Sequence, residues 1–253
     1  MVNFVGAGSG AVDLITIRGK KLLEEADIII YAGSLVNPEL LQYKKDSCAV
    51  YNSAKMTLEE VIQVIVSGEK ENKTTVRLHT GDPSLYGAIK EQMDLLDLHN
   101  IKYKVCPGVS SFSGAASALN LEYTLPDVSQ TVIITRMAGR TSVPDKEEIS
   151  LLAKHNATMV IFLSTGLLEG LEERLIIGGY KENTPAAIVY KATWDDEKTI
   201  RCTVNTLAKS AKENNITKTA LIIVGNVLEG NYSRSKLYDP TFTTEFREGQ
   251  DSK

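Results

Sequence analysis

The chain has 253 residues, of which 43% are hydrophobic and 24% are charged, as is typical of a soluble globular protein with one large or two modest domains. Its net charge of −4 argues against a general nucleic-acid binder. The three cysteines, Cys48, Cys106 and Cys202, are too far apart to suggest a disulfide framework or a zinc site. We find no export signal and no apolar run of the roughly 20 residues that a membrane helix needs, so a cytoplasmic location is expected.

Short β-branched runs alternate with helical patterns in the first half of the chain. The predicted strands are Val2–Val5, Ile28–Tyr31, Ala49–Tyr51, Thr75–His79 and Tyr103–Cys106. A helix is predicted over Thr57–Val66, with Thr57 and Glu60 as a capping box and Gly68 as its stop. A second helix is predicted over Leu85–Leu98. This βαβ rhythm predicts a mostly parallel sheet with helices on its faces.

The rhythm restarts around Pro126. Here the predicted strands are Thr131–Thr135, Thr158–Leu163, Ala186–Tyr190, Thr199–Val204 and Ala220–Val224, and the predicted helices are Asp145–His155, Leu167–Ile177 and Thr206–Asn214. A short polar loop before Thr199 predicts a hairpin, and hence a mixed sheet. We therefore expect an α/β protein of two α/β domains, residues 1–124 and 125–238, followed by a polar tail over residues 239–253.

Two strand ends carry residues that suit a ligand site. The run Thr75–His79 stops at Gly81-Asp82-Pro83, and Tyr103–Cys106 is followed by Pro107-Gly108-Val109-Ser110-Ser111. Ligands of open α/β sheets bind at the carboxyl ends of strands, and glycine lets a ligand approach the backbone closely. The two corners therefore predict one site built from neighbouring loops.

A third glycine-rich segment, Gly6–Ala11, fits the G-x-G-x-x-A pattern of dinucleotide folds. The second strand, however, ends without the acidic residue that would hold a ribose. A nicotinamide site is therefore disfavoured, and the alternatives are a tight turn with no ligand or a floor under another ligand.

Single residues near these corners allow more than one interpretation. Asp82 fits a helix cap or a ligand contact equally well, and His79 is more typical of a packed histidine than of a catalytic one. Arg136 and Arg140 lie in one loop and suit carboxylate or phosphate recognition, although a solvated loop is the simpler interpretation. A metal cluster, a P-loop and a nucleophile elbow are absent from the sequence, which favours group transfer from an activated donor.

The chain resembles the tetrapyrrole methylases, which use S-adenosylmethionine (SAM). The segments that carry the resemblance are Val5–Gly10, Gly81–Pro83, Pro107–Ser111 and Thr158–Leu163. Two further segments, Tyr31–Val36 and Thr135–Thr141, resemble the branch that methylates C11 of precorrin-4 or cobalt-precorrin-4 in cobalamin (vitamin B12) biosynthesis.

The resemblance implies a homodimer of two α/β domains that binds SAM in the inter-domain cleft, without a metal bound by the protein. It implies a donor site made of Thr80, Gly81, Asp82, Leu85, Ser110, Ser111, Leu163, Ala192, Ala220 and Leu221. The acceptor side would include Ser9, where many relatives have proline, together with Arg136 and Arg140, with Arg18 as a weaker candidate. No catalytic base is assigned.

Other acceptors remain open at this stage. Members of the same family methylate other precorrin positions, uroporphyrinogen-III, or a protein or RNA, as in diphthine synthesis. A non-catalytic nucleotide sensor and an NAD-binding oxidoreductase are the alternatives outside the family. The sequence also leaves open whether the acceptor carries cobalt.

Overall fold

The computed structural model describes residues 1–33 and 35–250. Ser34, within the predicted segment Tyr31–Val36, and residues 251–253, within the predicted tail, lie outside the described residues. Contacts divide the chain into two compact units, Met1–Ala118 with Lys191–Glu197, and Leu119–Tyr190 with the chain from Lys198 onward. The domain limits predicted from the sequence, 1–124, 125–238 and 239–253, stay predictions.

The first unit contains a five-stranded sheet and four α-helices. Its strands β1 to β5 are Val2–Gly6, Ile28–Tyr31, Ala49–Asn52, Thr75–His79 and Tyr103–Cys106, and its helices α1 to α4 are Ile17–Glu25, Leu58–Lys70, Lys90–Leu98 and Ser111–Leu119. The sheet has the order β3-β2-β4-β1-β5, and every neighbouring pair is parallel. The carboxyl ends of β1, β4 and β5 therefore meet at one edge.

Both faces of this sheet are covered, as a parallel sheet requires. Leu23, Ile29 and Leu78 belong to the apolar core on one face. Ile30 and Ile62 belong to the core on the other face, where α2 and α3 pack. Because successive side chains of a strand point to opposite faces, the apolar run of β2 supplies both cores.

The second unit contains a mixed sheet and three α-helices. Its strands β6 to β10 are Val132–Arg136, Thr158–Phe162, Pro185–Tyr190, Lys198–Thr203 and Ala220–Val224, and its helices α5 to α7 are Ile149–Leu152, Leu168–Ile177 and Leu207–Glu213. The strand order is β6-β7-β10-β8-β9. The first two strands are parallel and the other pairs are antiparallel, so β8 and β9 form the predicted hairpin.

The predicted fold class is confirmed, and the ten strands lie within one residue of their predicted ends. Three helix predictions are wrong in part. Gly68 does not stop α2 but lies buried inside it. A glycine fits there because a Cβ atom would come 2.6 Å from Ile28 Cδ1. The Leu85–Leu98 helix begins only at Lys90. The Asp145–His155 helix is broken into two 3₁₀ turns around the short α5.

The Asp27 carboxylate stabilises the start of β2 through two hydrogen bonds. One carboxylate oxygen accepts a hydrogen bond from Lys45 Nζ at 2.6 Å, and the other accepts one from the Thr74 amide at 2.8 Å. The hydrogen bond from Lys45 and then that from Thr74 hold the pKa of the carboxyl group below its usual value. Because the folded-state pKa is lowered, the carboxylate stabilises the fold above about pH 4, and this contribution is lost as the pH falls through the folded-state pKa.

We expect Asp27→Asn to lower the thermal unfolding midpoint at pH 7 and to reduce the further loss of stability below pH 4, because the amide cannot form the ion pair. Midpoints measured between pH 3 and pH 7 test this expectation. Asp46→Asn, at the exposed position next to Lys45, is the matched control. Parallel pH profiles of wild type and Asp27→Asn would contradict the assignment.

Candidate active site

Three glycines bring the ends of β1, β4 and β5 together. A Cβ atom on Gly6 would lie 2.6 Å from Gly108 Cα, and one on Gly108 would lie 2.2 Å from the Gly81 carbonyl oxygen. Both distances are far inside van der Waals contact, so the backbones of the three corners touch where only glycine fits.

Hydrogen bonds fix the loop after β1 against the loop after β4. The Gly81 amide donates to the Gly8 carbonyl at 2.9 Å, and the Gly8 amide donates to the Gly81 carbonyl at 3.3 Å. Both glycines have positive φ, 85° and 62°, a conformation that L-residues with a side chain rarely adopt. The Gly-rich loop after β1 is thereby made part of the same site as Gly81-Asp82-Pro83.

Asp82 connects the loop after β4 with the loop after β5. One oxygen accepts hydrogen bonds from the amide and hydroxyl of Ser84, and the other accepts one from the Gly108 amide at 2.9 Å. Partial burial raises the pKa of this carboxyl group, but the hydrogen bonds from Ser84 and Gly108 outweigh it, so the pKa lies below its usual value. Asp82 is therefore a charged carboxylate that orders two loops, and it does not cap the helix.

The segment after Asp82 forms a tight loop. Tyr86 and Ala88 have positive φ, 57° and 49°, and a Cβ on Gly87 would lie 2.1 Å from the Pro83 carbonyl oxygen. Leu85, the predicted donor-site residue, lies in the turn at the start of this loop, where its amide donates to the Asp82 carbonyl at 3.2 Å. Strain of this kind is typical of functional loops.

The two serines of the third corner lie beside Gly81. Ser111 begins α4, and the position of a Cβ on Gly81 is 3.4 Å from its amide nitrogen and 3.5 Å from Ser110 Cα. Ser110 is buried. The structure therefore brings the predicted donor residues of the loops after β4 and β5 together in the first unit.

The segment 191–197 covers the first loop. Ser9 Oγ lies 3.0 Å from Thr193 Oγ1, which also accepts a hydrogen bond from the Ala11 amide at 3.1 Å. The indole of Trp194 lies directly on Gly10, where a Cβ would come 2.2 Å from its Cδ1 atom. Ser9, predicted on the acceptor side, and Ala192, predicted in the donor site, thus belong to one packed loop pair. Thr193 has no signal in the sequence.

The remaining predicted residues lie in the second unit. Leu163 follows β7 with a φ of 53° and a side chain that is 66% exposed. Thr165 donates to the carbonyl of Ala220, the first residue of β10, at 3.2 Å. Leu221 follows and is buried. An exposed leucine held in a strained conformation next to buried strand ends fits a contact with an apolar part of a ligand.

Arg136 and Arg140 differ in their surroundings. Arg136 ends β6, and its guanidinium donates to the carbonyls of Met137, Thr141 and Ser142, so it shapes its own loop. Arg140 is exposed at the tip of that loop. The structure thus leaves the Arg140 side chain available to an acceptor, whereas the Arg136 side chain is already engaged.

A cavity of about 280 Å³ in the first unit contains polar residues that the sequence does not assign to a site. Arg77, His79 and Gln92 line it together with Thr80. Arg77 and His79 are 7% and 4% exposed. An arginine at the centre of a strand predicted to be buried is the signal that could have indicated this cavity, because buried charges are rare without a partner.

The chain matches the family model of the tetrapyrrole (corrin/porphyrin) methylases over residues 1–208. It is 56% identical to a cobalt-precorrin-4 C(11)-methyltransferase from Methanocaldococcus jannaschii over 97% of this chain and 95% of that protein. The chain belongs to the tetrapyrrole methylases. The resemblance to this family that the sequence indicated is therefore confirmed.

Two further comparisons extend the likeness. The chain is 46% identical to a cobalt-precorrin-4 C(11)-methyltransferase from Priestia megaterium, with 97% of this chain and 96% of that protein covered. The solved structure of a cobalamin biosynthetic enzyme, cobalt precorrin-4 methyltransferase, has a TM-score of 0.89 and 44% identity, covering 90% of this chain and 96% of that chain. This tetrapyrrole methylase thus shares the fold of a solved relative over 90% of its length.

Within residues 1–33 and 35–250, no cluster of three His, Cys, Asp or Glu side chains is placed to hold a metal ion. Over the same ranges, none of the helices has both the length and the apolar character needed to cross a membrane.

We expect Gly108→Ala to destabilise the fold by about 1–3 kcal/mol, because the added methyl group must force the Gly81 carbonyl away. The free energy of unfolding from urea titration measures this effect. Gly230→Ala is the matched control, since a Cβ there meets nothing within 4 Å. Equal stabilities of the two variants would show that the three corners are not in close contact.

Proposed function

We propose that this tetrapyrrole methylase transfers the methyl group of SAM to C11 of cobalt-precorrin-4 in cobalamin biosynthesis. The observation that carries the proposal is the 56% identity to the Methanocaldococcus jannaschii cobalt-precorrin-4 C(11)-methyltransferase along 97% of the chain. A precorrin-4 C(11)-methyltransferase from Sinorhizobium sp, named without cobalt, is 42% identical. The order of these identities favours the acceptor that carries cobalt.

The residues of the predicted donor site suit a ligand with polar and apolar parts. Thr80 Oγ1 is buried and has no hydrogen-bond partner among the described residues, so it is a free donor and acceptor within the site. The exposed Leu163 offers an apolar contact. When bound, SAM supplies an electrophilic methyl group on a sulfonium centre.

The chain's own part in the reaction is alignment and exclusion of water. Asp82 contributes indirectly, because both of its oxygens already hold Ser84 and Gly108. Burial, followed by the nearby charge of Arg77, lowers the pKa of His79 to about 3, far from the neutral value that suits a general base. Neither residue therefore fits removal of the ring proton, and we assign no base.

Arg140 is the better candidate for contact with an acceptor carboxylate, and Arg136 is a positioning residue for the loop. Ser9 helps to shape the acceptor side through its contact with Thr193. The homodimer and the cytoplasmic location stay predictions. Light scattering on the purified chain tests the first of them.

The direct test is anaerobic incubation with ¹³C-methyl SAM and one of three acceptors: cobalt-precorrin-4, precorrin-4 or uroporphyrinogen-III. We expect turnover to be fastest with cobalt-precorrin-4 and the label to appear at C11 in the NMR spectrum of the product. Label at another carbon, or turnover of uroporphyrinogen-III alone, would overturn the assignment. Thermal shift with SAM and with NAD separates a methylase from a nicotinamide enzyme, because a ligand that binds only the native state raises stability.

We expect Asp82→Ala to weaken SAM binding and to lower the unfolding midpoint of the free chain, because the loops after β4 and β5 lose their common anchor. Calorimetric titration with SAM measures the affinity. Ser84→Ala, which leaves the bond to Gly108 in place, should have the smaller effect on both quantities. SAM affinity unchanged in Asp82→Ala would remove Asp82 from the donor site.

We expect Arg140→Ala to raise the KM for the acceptor by about tenfold while SAM affinity and thermal stability stay unchanged, since one charge-assisted hydrogen bond is lost. Arg136→Ala should lower thermal stability as well. Lys146→Ala, at another exposed cation of the same unit, controls for net charge. A loss of SAM affinity in Arg140→Ala would contradict its place on the acceptor side.

A further inference from the structure

The cavity beside β4 is lined by β4, α2 and α3 and by the loops after β2, β3 and β4 of the first unit. Arg77, His79 and Thr80 come from the end of β4, residues 57, 58 and 61 come from the start of α2, and Glu91 and Gln92 come from α3. Its volume of about 280 Å³ far exceeds the share of one water molecule, roughly 30 Å³ in the liquid. The cavity can therefore admit a group of several atoms.

Arg77 brings a positive charge into this cavity, and no carboxylate of the described residues forms an ion pair with it. Its Nε donates to Gln92 Oε1 at 3.0 Å and its Nη1 donates to the Ile30 carbonyl at 3.1 Å, and both acceptors are neutral. Burial lowers the pKa of the guanidinium to about 10, so it is charged at neutral pH. Because a buried charge without a partner is costly, the site suits an anion that enters from outside.

Two further polar groups are available beside it. His79 Nε2 and Thr80 Oγ1 are buried and have no hydrogen-bond partner within the described chain, and both residues line the cavity. The imidazole is uncharged at neutral pH, since burial lowers its pKa to about 3. A neutral imidazole and a hydroxyl can each donate one hydrogen bond to an anionic oxygen.

Much of the remaining wall is apolar, with Ala32, Leu35, Met56 and Val61 among its residues, while Ser53 and Thr57 add hydroxyl groups. Glu91 also lines the cavity, but Glu91 is an exposed residue, and the hydrogen bonds of Arg77 among the described residues go to Gln92 and Ile30 instead. A charged end with an apolar flank matches a carboxylate carried on a short methylene chain better than a free inorganic anion.

We propose that this cavity is a carboxylate subsite, with Arg77 as its cation, and that it takes a carboxylate side arm of the tetrapyrrole acceptor. The inference rests on the proposed function, because it is the acceptor of that reaction that carries such arms. The amino-acid carboxylate of SAM is the other source of the same chemistry. Thr80 belongs to the predicted donor site and also lines the cavity. A carboxylate of either SAM or the acceptor is therefore a candidate occupant, and the experiment must distinguish the two.

Gln92→Glu tests the proposal, because it supplies Arg77 with an internal counter-ion. Gln92→Met is the matched control, since both variants lose the hydrogen bond from Gln92 Nε2 to the Ala88 carbonyl at 2.9 Å and only glutamate neutralises the charge. We expect the acceptor KM of Gln92→Glu to exceed that of Gln92→Met by about tenfold to a hundredfold, with equal SAM affinities. Equal KM values in two folded variants would overturn the proposal. A difference in SAM affinity instead would overturn the acceptor arm as occupant and assign the subsite to the donor.

A second experiment does not depend on the methyl-transfer reaction. Propionate should raise the unfolding midpoint of the wild-type chain at constant ionic strength, whereas propionamide, its neutral analogue of similar shape, should not. The propionate effect should be present in Gln92→Met and absent in Gln92→Glu and Arg77→Met. Equal responses to propionate and propionamide would overturn the subsite even if the methyltransferase activity is found. A stabilisation by propionate but not by propionamide would support the subsite even if cobalt-precorrin-4 is not the acceptor.

Discussion

The contact among Gly6, Gly81 and Gly108 is the constraint on which the candidate site depends. Three parallel strands can end at one edge of a sheet without their loops touching. Here the missing side chains let the loops after β1, β4 and β5 meet backbone to backbone, with a Cβ position on Gly108 only 2.2 Å from the Gly81 carbonyl oxygen. The amides and carbonyls of these loops are then ordered by one another and by the Asp82 carboxylate, before any ligand arrives.

This preorganisation bears on the kind of chemistry that the site supports. Transfer of a methyl group from an activated donor depends on alignment more than on acid–base groups. The ionisable groups at the corners are engaged or buried accordingly. Asp82 orders two loops, and His79 is buried and uncharged. A site of this composition favours positioning over proton transfer.

The sequence predicted the strands well and the loop after β4 poorly, for a physical reason. Strand limits follow from short apolar runs that both faces of a sheet bury. The helical pattern of Leu85–Leu98 is real on its apolar side, but the turn at Gly87 against Pro83 and the positive φ of Tyr86 and Ala88 delay the helix to Lys90. Such contacts depend on tertiary packing and leave no periodic signal. The family motifs indicated the corners, whereas Arg77 and Thr193 acquire their surroundings only through the fold.

The assignment of residues 191–197 to the first unit has a consequence for how this architecture can be recombined. The chain leaves the first unit, forms β6 to β8, returns to lay Trp194 on Gly10, and departs again to form β9. A gene fusion that exchanged the carboxyl-terminal half between homologues would therefore also replace the cover of the amino-terminal glycine loop. Chimeras would inherit compatible partners there only if Gly10 and Trp194 were exchanged as a pair.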